Sequence, residues 1–203
     1  MQRTDEVLAL LREEQIELDR FAQLFESAPL HERVRITESI DGGGQAKLWD
    51  ATAGRSVRIA EMVPADFGPL HPVIFHGKNS LPAFTRFQKR FCRPAAGVGR
   101  DELWGYNYQP VSWLAPLTGP GYFVAYDTAN GPGGVAVDYT RTPPAKPAEW
   151  PEIHDNRYRL SRFIYNGTID YLRRVSEHLL IGRATRAGRD MPNWFLLCRE
   201  DPT

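Results

Sequence analysis

Apolar residues change their spacing along this chain, and each change marks a structural element. From Thr4 to about Glu26, the residues Val7, Leu11, Leu18, Phe21 and Phe25 recur at three-, four- and seven-residue steps. That spacing lays one apolar stripe along a helix. Thr4 suits the N-cap, Asp5 and Glu6 suit the positive end of the helix dipole, and Pro29 closes the segment, so a helix is predicted over 4–28. After Asp41-Gly42-Gly43-Gly44 the period shortens. Residues 45–50 and 56–63 read as strands flanking a turn at Ala51-Thr52-Ala53-Gly54-Arg55, and Pro72 to His76 reads as a short buried strand. Helical spacing returns at Leu81, Phe84, Phe87 and Phe91. It predicts a short second helix over 81–91, with Arg86, Lys89, Arg90 and Arg93 as a solvated basic patch.

Beyond that point the pattern alternates. Leu103 to Gln109 places Tyr106 and Tyr108 on one face, and Gly121 to Asp127 does the same for Tyr122 and Tyr126. The turn cluster Thr128 to Gly134 returns the chain into Val135 to Thr140, and the proline-rich stretch 142–151 reads as a long surface connection. From Arg159 to Arg199 come consecutive short strands joined by polar turns. Many short strands with one dominant helix indicate a mainly β (α+β) single domain over 1–203, with strands across 45–199 closed into an antiparallel barrel. Closure removes the unpaired edges. A barrel of about eight strands can enclose one small ligand.

The C-terminal block also carries a family resemblance. Asp170-Tyr171-Leu172-Arg173-Arg174-Val175 followed by Leu179-Leu180-Ile181-Gly182 resembles the Asp-x-Phe-Arg-x-Val…Leu-x-Gly segment of the GXWXG-type domain-of-unknown-function proteins. Tyr165 stands for the tyrosine before that segment, and Trp194 to Arg199 for the final aromatic strand. The resemblance implies a lipocalin-like (calycin-like) barrel and brings no reaction with it. The Gly-x-Trp-x-Gly signature itself is replaced by Gly44-Gln45-Ala46-Lys47-Leu48-Trp49.

Charge and composition narrow the function. The 203 residues carry 25 basic and 25 acidic side chains, a balance that argues against a nucleic-acid surface. No secretory leader and no membrane-length apolar run is visible, so a cytoplasmic location is expected, with Cys92 and Cys198 as free thiols. The histidines lack partners at metal-ligand spacing, and no phosphate loop or nucleophile elbow occurs, so neither metal nor cofactor is expected.

The remaining candidates are scattered. His76 is the best acid/base group, because an imidazole titrates near neutrality. Asp170 interrupts an apolar strand, and if it faces inward it needs a cation, Arg174 or Arg162 by strand position. Asp170, His76 and Tyr165 form the expected catalytic set. Tyr106, Tyr108, Trp113, Tyr122, Tyr126 and Arg162 form the expected ligand-binding set, since aromatic walls with polar tips orient organic ligands. The leading expectation is a binding or carrier barrel for a small hydrophobic or aromatic ligand. The rivals are a cofactor-independent isomerase, cyclase or lyase acting on such a metabolite, and a module that docks a partner through the N-terminal helix. A homodimer stays open.

Overall fold

The computed structural model describes residues 2–82, 85–98, 101–109, 120–129, 131–154 and 167–201. Eight antiparallel strands form a closed barrel: β1 Val73–Asn79, β2 Arg86–Cys92, β3 Leu103–Tyr108, β4 Tyr122–Asp127, β5 Val135–Asp138, β6 Thr168–Arg174, β7 Leu179–Arg186 and β8 Arg189–Arg199. Each strand pairs with its sequence neighbours, and β1 closes on β8 through Phe75↔Arg199 to Asn79↔Phe195. The helices precede the barrel: α1 Gln2–Leu10, α2 Leu18–Glu26, α3 Leu30–Ser39, α4 Gly42–Ala51 and α5 Ile59–Met62.

Three predicted elements take a different form. The helix expected over 4–28 is split into α1 and α2. The break lets Val7, Leu10 and Leu11 from one half, and Leu18, Phe21 and Phe25 from the other, reach one apolar cluster with Leu179, Ile181 and Leu196 of the barrel wall. Lys47 Nζ supports the break by donating to the carbonyls of Leu11 (3.1 Å) and Glu13 (2.9 Å). The apolar stripe is therefore covered within the molecule.

The hairpin expected over 45–63 is helical instead. Asp41 Oδ1 accepts from Gly44 N at 2.8 Å and caps α4, and the Glu61 carboxylate accepts from Arg58 N at 2.8 Å to cap α5. A side chain at Gly44 would lie 2.9 Å from Ile40 Cγ2, so glycine is what lets α4 start against Ile40. The strands consequently begin at Val73, not at residue 45.

The third difference matters most. Residues 86–92 form strand β2, not a helix. Phe87 and Phe91 share the inward face with Lys89, while Gln88, Arg90 and Cys92 face out. Helical spacing of the aromatic residues and strand alternation coincide here, because a lysine occupies the inward position between two phenylalanines.

The barrel interior is apolar over most of its length. Val73, Phe75, Phe91, Leu103, Phe123, Val137, Leu172 and Leu197 line it, and α5 packs at one end through Ile59 and Met62. Three inward glycines each make room for a ring. A Cβ at Gly77 would sit 2.6 Å from Phe87, and those at Gly105 and Gly182 would overlap Phe123 and Phe195. The outer wall is covered twice, by α1–α4 over β6–β8 and by Trp150 over Tyr106 and Tyr122.

Candidate functional site

Strand parity sorts the candidates into those inside the barrel and those outside it. Leu103, Gly105 and Asn107 face inward on β3, so Trp104, Tyr106 and Tyr108 face outward. Phe123 and Ala125 face inward on β4, so Tyr122 and Tyr126 face outward. These four tyrosines therefore do not line the interior. Tyr106 and Tyr122 pack on Trp150, and Tyr122 Oη donates to the Pro151 carbonyl at 2.5 Å. Tyr108 carries the Arg90 guanidinium 4.2 Å above its ring, and Tyr126 carries that of Arg141 at 5.4 Å.

His76 also lies on the outer wall, where its Nε2 is 2.7 Å from Glu200 Oε1. It does not converge with Asp170. Trp113, Arg162 and Tyr165 lie outside the described residues.

Asp170 does point inward, and among the described residues its partner is Lys89, not Arg174. Lys89 reaches across from β2 and places Nζ 3.0 Å from Asp170 Oδ2. Arg174 instead binds Glu61 Oε1 at 2.5 Å at the far end of the strand. Lys89 is 2% exposed and Asp170 5%. Lys89 Nζ also donates to Asn107 Oδ1 at 3.1 Å and to Tyr139 Oη. Asn107 Nδ2 donates to Tyr139 Oη at 2.9 Å, and Tyr139 Oη lies 3.3 Å from Asp170 Oδ2. Four polar side chains from β2, β3, β6 and the residue after β5 thus meet at one point.

Aromatic rings surround that point. The rings of Tyr139, Phe195, Phe123 and Phe87 lie 4.8, 5.1, 5.2 and 5.8 Å from Lys89 Nζ. Ring faces attract a cation, and the attraction grows where water is excluded. Burial draws the Lys89 amine below its ordinary range, and the Asp170 charge and hydrogen bond pull the other way. The group therefore combines an amine eased toward its neutral form with a carboxylate in contact that can take its proton.

Position adds to the chemistry. Strand ends Asn79, Arg86, Tyr108, Tyr122, Asp138, Thr168, Arg186 and Arg189 share one end of the barrel, as antiparallel order requires. Asn107 and Tyr139 stand one residue from that rim, Asp170 two residues and Lys89 three. The cluster therefore lies close to that end of the barrel. The opposite end holds a pocket of about 270 Å³ beside α5. Val57, Met62, Phe75 and Leu180 give it an apolar floor, and Glu61, Arg174, Glu177 and Arg199 a charged rim. Arg199 Nη1 donates to the Glu61 carbonyl at 2.6 Å, which ties the last strand to α5. Phe75 is paired in register with Lys89 on one side and Arg199 on the other, so one wall joins both ends.

Glu26, Glu177 and His178 bring ligand-type atoms together on the outer wall. Glu26 is already engaged there. It accepts from His178 N at 2.8 Å, contacts His178 Nδ1 at 2.6 Å, and lies 3.5 Å from the Arg33 guanidinium.

Reading 86–92 as a helix hid Lys89 among basic surface residues. The inward set was nevertheless present in the alternation: Phe87-x-Lys89-x-Phe91 on one strand and Leu103-x-Gly105-x-Asn107 on the next. No family model, curated protein or solved structure matches the chain.

Proposed function

We propose that this protein binds a small, mostly apolar or aromatic metabolite in its barrel, oriented by Lys89, Asp170, Tyr139 and Asn107. The observation that carries this reading is a buried ion pair with two further polar side chains inside an interior that is apolar over most of its length. Burying two charges costs several kcal/mol per ion before their attraction is counted. A buried amine drawn below its ordinary range beside a specific charge partner is a functional-site candidate. The nearest-neighbour order of eight strands, closed from β1 to β8, supports a lipocalin-like reading of the barrel. The two buried free cysteines are in keeping with a cytoplasmic setting.

The second reading is a cofactor-independent isomerase, cyclase or lyase. It is favoured by the Lys89–Asp170 contact, because an amine and a carboxylate 3.0 Å apart can relay a proton to and from one bound molecule. Tyr139 takes the acid/base place expected of His76, which lies on the other side of the wall.

Native mass spectrometry of protein purified gently from its own host tests the binding reading. A co-purifying small molecule that is absent from a Lys89→Met variant is the expected result. Empty protein, together with no thermal shift from a panel of small aromatic and terpenoid compounds, overturns it.

A further inference from the structure

Lys89 has a specific chemical capacity that simple ligand binding does not need. Its charge is already matched by Asp170, so the cluster as a whole does not call for an anionic ligand. What it offers instead is a primary amine with its proton acceptor in contact. Two more polar groups, Tyr139 Oη and Asn107 Nδ2, lie in the same hydrogen-bonded group. A carbonyl carbon needs that set: a nucleophilic nitrogen, a base to free it, and donors for the oxygen. Desolvation of the buried amine eases loss of its proton.

We propose that Lys89 forms a reversible imine with an aldehyde or ketone bound in the barrel, resting on the ligand-binding reading above. Asp170 takes one proton from the Lys89 ammonium. The free amine then adds to the carbonyl carbon and forms the C–N bond, while the carbonyl oxygen takes a proton from Tyr139. The nitrogen's second proton passes to Tyr139, which restores the phenol and gives a neutral carbinolamine. Asp170 protonates its oxygen, which leaves as water, and the nitrogen lone pair forms the C=N bond while the third proton stays on nitrogen. Ammonium and carbonyl give iminium and water, with no change of oxidation state. The four rings around Nζ then face an iminium in place of an ammonium, so the product keeps the same cation–π surroundings. The ligand class is therefore an apolar or aromatic body bearing one aldehyde or ketone group.

The test uses the full chain with cinnamaldehyde and sodium cyanoborohydride, read by intact mass and peptide mapping. Cinnamyl alcohol, which cannot form an imine, is titrated in parallel by thermal shift. The expected result is one reduced adduct on Lys89, with Lys47, Lys78 and Lys146 unmodified, and competition by the alcohol. Lys89→Arg keeps the cation beside Asp170 and should remain folded by circular dichroism, yet lose the adduct. Binding of the alcohol without an adduct at Lys89 overturns the imine and leaves the binding reading intact. Adducts spread over the surface lysines, with none at Lys89, also overturn it. Absence of both adduct and alcohol binding overturns both readings.

Discussion

Lys89 Nζ and Asp170 Oδ2 stand 3.0 Å apart across the barrel, although β2 and β6 are not neighbouring strands. The pair spans the interior and fixes the distance between two opposed parts of the wall. Asp170→Asn should leave the ammonium buried without its counter-charge and cost about 3–5 kcal/mol, read from urea unfolding. The double variant Lys89→Met with Asp170→Leu removes both charges at similar volume. It should be far less destabilised than Asp170→Asn alone. Equal losses in both variants would show that the pair is not electrostatically coupled.

Gly105 is needed because two groups crowd its inner face. A Cβ there would lie 2.5 Å from the Arg90 carbonyl, a backbone atom of the neighbouring strand that cannot step aside, and against the Phe123 ring. Gly105→Ala should cost about 1–3 kcal/mol. Gly68 has nothing within 4 Å of the equivalent position, so Gly68→Ala should change stability by no more than about 0.5 kcal/mol. Thermal denaturation of the two variants distinguishes the sites.

Acid stability should depend on Glu26. Burial pushes its carboxyl up, but hydrogen bonds from the His178 backbone and ring and the His178 charge outweigh that and hold it at about 2. A carboxylate held below its ordinary value stabilises the fold above the unfolded value, about 4.3, and loses that effect as pH falls toward 2. Its contribution should therefore be complete above about pH 5 and amount to ~2 kcal/mol. Glu26→Gln should lower stability at neutral pH and flatten the dependence between about pH 5 and 2. An unchanged acid slope in chemical denaturation would contradict this.

Arg173 joins three parts of the molecule. It donates from Nη1 to the Trp49 carbonyl (2.7 Å) and from Nε to the Pro132 carbonyl (2.5 Å), and its guanidinium stacks 3.8 Å from the Trp49 ring. Lysine has one nitrogen and no planar face, so Arg173→Lys should lose about 1–3 kcal/mol despite keeping the charge. Recovery of wild-type stability by lysine would mean that charge alone matters there.

Cys92 and Cys198 should be inert in the native state. Both are buried, and desolvation pushes each thiol up to about 12. Ellman's reagent at pH 8 should label neither while the protein is folded and both after unfolding in denaturant. Rapid labelling of the folded protein would contradict the packing of either thiol.

Several elements were legible in the chain from local pattern. Strand β6 is buried on one face and alternates clearly, β3 and β4 alternate in residue type although both of their faces are largely buried, and the segment from Thr168 to Arg199 reads as a meander because each strand returns through a short polar turn. The N-terminal stripe was visible too, but not its division, since both halves of the helix carry the same apolar spacing. Residues 45–63 were misread because Asp41 and Glu61 act as helix caps only with the hydrogen bonds they make in the fold. Alternation alone did not say which face of β3 and β4 turns inward. Tyrosine and phenylalanine fit either side, and the inward side is the one on which Gly105 of β3 admits the ring of Phe123 from β4.

The sequence by itself determined that this chain makes a mainly β domain ending in a run of antiparallel strands, and that Asp170 would need a partner if it faced inward. Local spacing and turn chemistry are enough for that, because alternation and capping act over a few residues. Only the tertiary structure decided that the partner is Lys89, that Tyr139 and Asn107 join it, and that His76 and the four tyrosines lie outside the wall. The members of the cluster are separated by 18 to 81 residues along the chain, and no local pattern spans that distance. Closure of the barrel brings them together, and the choice of inward face, made jointly by all eight strands, gives each its place.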